Sequence, residues 1–174
     1  MSGDELAPLS DWLDTPLVVV TTAADDETAG CMVGFHTQCS MDPVRYALWL
    51  SKANRTCRVA MFASHVAVHF LDGGDHDLAV LFGATTGDEV DKFAGIEWRP
   101  GPDGVPLISR CTNRIVLQRV SVHDDGGDHV CFVGAPVDVT LSTAGSTPLR
   151  MSDVDDIDAG HPADDPPLSS TPVE

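Results

Sequence analysis

Six short strand-like segments, each bounded by turn-forming residues, constrain the fold of this chain more than any other feature. They are rich in β-branched and alternating apolar residues, and glycine, proline or clustered aspartate separates them. The segments are 16–22, 29–40, 45–51, 65–71, 114–123 and 129–141. Short helices beginning near Asn54, Asp75 or Asp77, and Asp88 fit between them, and 99–106 is loop-like in composition. The pattern predicts a mainly β fold with short helices, arranged as a small, mostly antiparallel barrel of six strands.

Length and composition divide the chain into one domain and a tail. A chain of 174 residues can bury one core but not two. Beyond Ser142 it turns to Ser, Thr, Pro, Asp and Gly without apolar periodicity, which predicts a disordered acidic tail. We therefore expect an N-terminal extension at 1–11, a folded domain at 12–142 and a tail at 143–174. No apolar run is long enough to predict a transmembrane helix, and the N-terminus lacks the pattern of a secretory signal.

The charge of the chain bears on its partners. A net charge of −17 argues against nucleic acid and against anionic membranes. Residues 151–174 hold seven acidic residues and no Lys or Arg, so ten of the net negative charges lie on the first 150 residues. Four of the ten basic residues fall within fourteen positions and form a local basic cluster: Arg45, Lys52, Arg55 and Arg58. The alternative interpretation is a solvated helix face with scattered charge.

The cysteines and histidines predict neither a disulfide framework nor a metal site. Five cysteines without a CxxC pair lie in apolar runs, where free cysteine behaves as a small buried hydrophobe. They indicate a reducing, cytoplasmic compartment, and the alternative of a catalytic thiol has no supporting spacing. His65 and His69 would share one face of a strand about 13 Å apart, too far to ligate one ion.

Two neighbouring motifs suit a planar, phosphorylated ligand. The first, GCMVGFHTQCSMDP at 30–43, is a strand broken by Gly34 and ended by Asp42-Pro43. A ring system can lie along its backbone N–H and C=O groups and its small polar side chains. The second, SKANRT at 51–56, is a polar and basic turn that opens a helix, where free N–H groups favour an anion.

With GDEVDKFAGIEW at 87–98 and GDHVCFVG at 127–134, the order of these motifs resembles the flavin reductase family of FMN-binding split-barrel proteins. The resemblance covers 12–141 and implies a six-stranded antiparallel split β-barrel that binds FMN, or FAD, and uses NADH or NADPH as donor. It implies that His129 contacts the nicotinamide donor. The residues implied in cofactor binding are Gly34, Phe35, His36, Thr37, Gln38, Cys39, Ser40, Ser51, Lys52, Asn54, Arg55, Thr56 and Phe93. Family members often carry two serines and an aromatic where this chain has Gly34, Phe35 and His36.

Each of these residues also has a purely structural interpretation. Gly34 can be a bulge glycine and His36 a hydrogen-bonded strand histidine. Asn54 can be an ordinary helix cap, and Phe93 can belong to the core. His129 can be a turn residue that follows a double glycine.

The leading functional hypothesis is an NAD(P)H-dependent flavin reductase. The resemblance implies a homodimer whose reduced flavin supplies a monooxygenase partner. The alternative hypothesis is an FMN-binding carrier or storage protein without efficient hydride transfer. A less favoured third is an oxidase of the pyridoxamine-phosphate type, for which no substrate-phosphate arginine cluster is evident beyond 45–58.

Overall fold

The computed structural model describes residues 7–142, 147–158 and 160. Over these residues the chain is mainly β, with two short α-helices, α1 at Arg55–Ala60 and α2 at His76–Gly83. Short 3₁₀ turns occupy Ala7–Trp12, Pro102–Gly104 and Met151–Val154. The strands are β1 Val18–Ala24, β2 Glu27–Val33, β3 His36–Met41, β4 Val44–Ser51, β5 His65–Phe70, β6 Trp98–Pro100, β7 Pro106–Ile108, β8 Arg114–His123 and β9 His129–Thr140.

Seven strands form one antiparallel sheet in the order β2-β1-β5-β8-β9-β4-β3. The predicted antiparallel β architecture is confirmed, but the predicted count of six strands is wrong for this sheet. The predicted strand 29–40 is two strands, because the chain leaves the ladder at Gly34 and Phe35. A separate pair, β6 with β7, forms where a loop was expected at 99–106, and 88–93 forms turns rather than a helix.

The connection between β2 and β3 makes the sheet curl. These strands are the two outermost strands of the sheet, yet only Gly34 and Phe35 separate them along the chain. Three peptide steps span at most about 11 Å, so the two edges must come together. Side chains from both ends of the sheet accordingly share one core cluster, including Cys31 and Val33 of β2 with Leu48 and Leu50 of β4.

The β6–β7 pair covers the outside of the sheet and is fastened to it by His69. The His69 ring is fully buried. The backbone N–H of Ile108 donates to its Nε2 at 3.1 Å, so Nδ1 carries the proton and donates to the carbonyl of Val19 at 3.1 Å. Burial lowers the pKa of His69 to about 4. This histidine is a neutral structural link between two layers.

The segment 147–158 packs against the domain, which corrects the prediction that the whole of 143–174 is a disordered tail. Leu149 and Val154 are buried in a second core cluster beside α2. The backbone of Leu149 donates to Leu71 and accepts from Leu17, at 3.0 and 2.7 Å. These isolated apolar residues were enough to anchor a segment that lacks any periodic pattern. The predicted tail residues 143–146, 159 and 161–174 lie outside the described residues.

Strand β9 bulges near Pro136, since Val116 pairs with Asp138 while Leu117 pairs with Pro136, which leaves Val137 as an extra residue. No helix within the described part of the chain is both long and apolar enough to cross a membrane.

Candidate functional site

An apolar cleft lies where the β2–β3 connection, β4 and the β8–β9 turn meet. We call it the aromatic cleft; its volume is about 510 Å³. Phe35 is 61% exposed at its wall and meets the ring of His129 edge-on, with 5.4 Å between the ring centroids. The residues lining it are Leu13, Thr15, Gly34, Phe35, His36, Trp49, Asp125, Gly127, Asp128 and His129. Aromatic rings around an open apolar cleft, one of them exposed and the others half-buried, suit a flat ligand.

The position of His129 follows from strand pairing. It is the first residue of β9 and lies opposite Ser51, the last residue of β4. Its Nδ1 donates to Oδ1 of Asp128 at 2.9 Å, and this hydrogen bond lowers the pKa of the Asp128 carboxyl. The backbone N–H of Lys52 donates to the carbonyl of Asp128 at 2.9 Å. The ring is therefore oriented, and its Nε2 makes no hydrogen bond to a described residue.

His36 lines the same cleft, but its nitrogens are already used. Its Nε2 lies 2.7 Å from the carbonyl of Pro16, which can only accept, so Nε2 carries the proton. Nδ1 must then accept the hydroxyl proton of Tyr46, also at 2.7 Å. Burial lowers the pKa of His36 and raises that of Tyr46 to about 12. This matches the structural interpretation of His36 and leaves it no polar atom to offer a cofactor.

A second opening, the charged cleft, has a volume of about 390 Å³ and lies beside β2 and α1. Three residues of the predicted cofactor site line it: Arg55, Thr56 and Phe93. Lys92 lines it as well and was not among the predicted residues. The full lining is Asp26, Glu27, Thr28, Ala29, Gly30, Arg55, Thr56, Gly87, Asp88, Glu89, Val90, Asp91, Lys92 and Phe93.

Lys92 is the unusual group in the charged cleft. Its side chain is buried, and Nζ donates to the carbonyls of Gly30 and Phe82 at 3.2 and 3.1 Å. Among the described residues it forms no ion pair with a carboxylate. Burial lowers its pKa. An ammonium has three donors, and the two carbonyls use two of them, while Nζ also lies 5.7 Å from the centre of the Phe82 ring.

The residues of the predicted polar turn at 51–56 have different partners in the structure. Lys52 is paired with Asp124 at 2.7 Å, which lowers the pKa of that carboxyl. Asn54 stands at the cap position of α1, but its side chain makes no capping hydrogen bond. Arg55 donates to the carbonyl of Gly87 at 2.7 Å and lies 3.5 Å from Glu27. Thr56 is buried and hydrogen-bonded to the Cys31 thiol, whose pKa burial raises to about 11.

Carboxylates surround the charged cleft and oppose anion binding there. Three have partners: Asp88 binds Arg58 at 2.6 and 2.7 Å, Glu27 lies 3.5 Å from Arg55, and Asp91 accepts the N–H of Phe93 at 3.0 Å. The others on the rim are Asp26 and Glu89. Attraction of an anion to Lys92 and Arg55 in this cleft is therefore partly cancelled by repulsion from the carboxylates on the rim.

Several predicted residues take no part in either cleft. Thr37, Gln38 and Cys39 are exposed on the edge strand β3, and Ser40 lies beyond the bulge that follows Gln38. Polar groups of these residues form hydrogen bonds within β3. For example, Nε2 of Gln38 donates to the carbonyl of Ser40 at 3.1 Å. The prediction that the cysteines are buried is wrong for Cys39, which is exposed like its neighbours Thr37 and Gln38 on the edge strand.

Phe93 belongs to the core, although its edge reaches the charged cleft. It is 7% exposed and packs edge-on against Phe82 and Trp98, at centroid distances of 5.7 and 5.8 Å. Within the motif that suggested Phe93, the cationic side chain that lines the charged cleft is its neighbour Lys92. A lysine next to an apolar run, in a chain with only two lysines, is the signal that could have identified it.

Strand β2 joins the two clefts. Gly30 of β2 lies in the charged cleft, and Gly34, directly after the last residue of β2, lies in the aromatic cleft. Four residues of extended strand span about 13 Å. No group of three or more His, Cys, Asp or Glu side chains within the described ranges is placed to hold a metal ion. The arrangement is therefore an apolar, aromatic opening just past the end of β2 and, further back along the same strand, a charged opening in which Lys92 and Arg55 lie among five carboxylates.

Comparison with known proteins finds a matching family model and related sequences. Residues 10–155 match the model of the "Flavin reductase like domain" family. The chain is 33% identical over 121 residues to the flavin-dependent monooxygenase reductase subunit HsaB of Mycobacterium tuberculosis, covering 70% of this chain and 63% of that relative. It is 28% identical over 126 residues to a ferric-chelate reductase (NAD(P)H) of Archaeoglobus fulgidus, covering 72% and 75%.

A solved structure extends the likeness to the fold. The FMN-binding protein of Thermus thermophilus, with bound 1-cyclohex-2-enone, superposes with a TM-score of 0.67 at 28% identity, over 72% of this chain and 70% of that one. The chain spans less than two thirds of the length of the mycobacterial relative. The family model, in contrast, covers most of the chain, from the first 3₁₀ turn to the packed segment after β9. The chain belongs to the flavin reductase like domain family.

Proposed function

We propose that the protein reduces flavin with NADH or NADPH and releases the reduced flavin. The observation that carries the proposal is that the aromatic cleft and the charged cleft, which contains Lys92 and Arg55, lie along one edge strand in a chain of this family. We propose FMN as the flavin, with FAD as the alternative. The flavin supplies the redox chemistry by accepting a hydride, and the protein supplies binding and orientation.

The proposed binding mode assigns one cleft to each end of the flavin. Phe35 and Trp49 would hold the ring by contact with its face and edge. Lys92, with Arg55, would hold the phosphate. The span of about 13 Å between Gly30 and Gly34 supports this assignment, since it can be covered by the flavin ring and the sugar chain together but not by either cleft alone. The aromatic cleft would offer the flavin ring an apolar wall, and the buried ammonium of Lys92 would offer the phosphate a positive charge.

The acidic rim of the charged cleft supports exchange rather than permanent retention. Neighbouring carboxylates weaken phosphate binding, so flavin would dissociate after reduction. We propose that a monooxygenase receives the reduced flavin, which is the role stated in the name of the mycobacterial relative. The proposal also places the protein in the cytoplasm, where its buried free thiols Cys31, Cys57 and Cys111 remain reduced.

We further propose that the curled sheet is a split barrel and that two copies associate. The support for a dimer is an apolar groove on the outer face, which includes Val44, Pro136 and Val139, next to exposed Val137 and Leu141. Such an exposed apolar strip on a charged protein is typical of an interface.

One spectroscopic experiment tests the reductase proposal. The purified protein is mixed anaerobically with FMN, and NADH or NADPH is then added while flavin absorbance is followed. Catalysed bleaching supports the proposal. A bound flavin that neither donor reduces favours the FMN-binding carrier, a candidate supported by the likeness to the FMN-binding protein of Thermus thermophilus.

The role proposed for His129 has its own test. The ring is oriented by Asp128 and lies against Phe35, so we expect it to align the nicotinamide rather than to move a proton. His129→Ala should raise KM for the donor and slow flavin reduction by about a hundredfold, with little change in flavin affinity. A variant that only loses stability, with unaltered reduction kinetics per folded molecule, would make His129 a turn residue.

A further inference from the structure

Met151 fills the space in which residue 34 would carry its side chain. A Cβ atom built on Gly34 would lie 2.6 Å from Sδ of Met151, and within 3.5 Å of its Cγ and Cε. Real Cβ atoms do not approach other atoms so closely. Any side chain at position 34 would therefore displace the thioether, and the two residues form a matched pair.

The segment that carries Met151 is tied to the domain by several hydrogen bonds. The backbone N–H of Met151 donates to the carbonyl of Thr15 at 3.2 Å. Ser152 donates through N and Oγ to the two carboxylate oxygens of Asp14, at 3.0 and 3.1 Å. Arg150 donates to the carbonyl of Asp14 at 2.8 Å. Since the buried side chains of Leu149 and Val154 anchor it on either side, Met151 is held in a defined position.

The same contacts reach the floor of the aromatic cleft. Oγ1 of Thr15 donates to the carbonyl of Gly34 at 2.7 Å, and Thr15 also accepts from Met151. Thr15 and Gly34 both line the cleft, and Phe35 follows Gly34 directly. Three segments that are distant in sequence, at 14–16, 34–35 and 150–152, thus meet beside the place proposed for the flavin ring.

We propose that Met151 is a positioning residue for the flavin ring, acting through the backbone of Gly34 and Phe35. This inference rests on the proposed flavin site. Glycine is the residue with the greatest backbone freedom, so this connection needs an external support. A methionine supplies it well, because its unbranched thioether adapts to an irregular surface. The segment after β9 is thereby a functional part of the site.

The first test replaces Met151 by alanine and measures the dissociation constants of FMN and of riboflavin by flavin fluorescence. Both constants should rise by about threefold to tenfold, a modest change because Met151 acts through the backbone of Gly34 and Phe35 rather than by touching the ligand. The rise should be equal for the two ligands, because they share the ring and differ only in the phosphate. Met41→Ala is the matched control, since Met41 is 85% exposed, and it should leave both constants unchanged.

The second test uses the steric pairing of the two residues. Gly34→Ala alone should weaken binding of both flavins, because the new methyl group displaces Met151. Adding Met151→Ala to Gly34→Ala should recover affinity, and this coupling is the sign of shared space. Met151→Leu, which keeps a side chain of similar volume, should bind both flavins like the wild-type protein.

The possible results separate this inference from the proposed function. A Met151→Ala variant that melts at a lower temperature but binds both flavins with unchanged constants overturns the positioning role. A loss confined to FMN also overturns it, because that would place Met151 near the phosphate. If the wild-type protein binds neither flavin, the proposed function fails and the inference fails with it.

Discussion

Acidification should weaken the fold through His69, the histidine that joins the β6–β7 pair to the main sheet. Protonation would place a charge in a fully buried ring and would remove the acceptor used by the N–H of Ile108. The pKa of His69 is lowered from 6.5 to about 4 on folding. The unfolded chain therefore binds the proton more readily, so stability is complete above pH 6.5 and decreases as pH falls towards 4.

The expected loss of stability follows from the size of the shift in the pKa of His69. Between pH 7 and pH 5, a pKa that falls from 6.5 to about 4 lowers the free energy of unfolding by about 2 kcal/mol. Urea denaturation at a series of pH values measures it. His36 contributes in the same direction, because burial lowers its pKa as well. A variant that removes only the His69 proton site is therefore required to isolate the effect.

His69→Gln is that variant, since an amide can donate to Val19 and accept from Ile108 without titrating in this range. It should be less stable than the wild-type protein at pH 7, but it should lose about 2 kcal/mol less on going to pH 5. His123→Gln, at an exposed position, is the control and should keep the wild-type pH dependence. Equal pH dependence in the His69→Gln and wild-type proteins would refute the reasoning.

Three further predictions concern the packed segment, the phosphate end and the interface. Truncation after Ser142 should lower the free energy of unfolding by about 3 to 6 kcal/mol, because Leu149 and Val154 leave the core; an unchanged urea midpoint would contradict this. Lys92→Met should lower the affinity for FMN at least about tenfold and leave the affinity for riboflavin unchanged, as measured by titration. An equal loss of affinity for both ligands would show that Lys92 supports the fold instead. Val139→Asp should shift the protein from dimer to monomer in sedimentation, and a dimer that persists would exclude that face.

The strand content of the fold was largely predictable from the sequence, because local patterns determine it. Alternation and turn residues located β1, β4, β5, β8 and β9 to within a few residues. The extra strand and the β6–β7 pair were missed because both depend on distant contacts. The break at Gly34 is imposed by the meeting of the two sheet edges, and β7 is held by His69 from another strand.

The candidate site was predictable in its motifs but not in its geometry. The order of motifs led to the family and to residues now found in two clefts, such as Phe35, Arg55 and His129. The sequence could not show that the nitrogens of His36 are used by Tyr46 and Pro16, nor that Lys92 lacks a carboxylate partner among the described residues. Each of these facts depends on residues that are far apart in the chain or on burial.

The two-residue connection between the outermost strands has a consequence for the order of folding. The hairpins β1–β2, β3–β4 and β8–β9 are local and can form within about 10 μs, whereas the pairings of β5 with β1 and β8 and of β4 with β9 are long-range. The aromatic cleft takes shape only when that assembly brings Gly34 and Phe35 against β4 and the β8–β9 turn. During refolding, the ability to quench flavin fluorescence should therefore develop with the slowest phase, after most of the circular dichroism signal of the strands has returned.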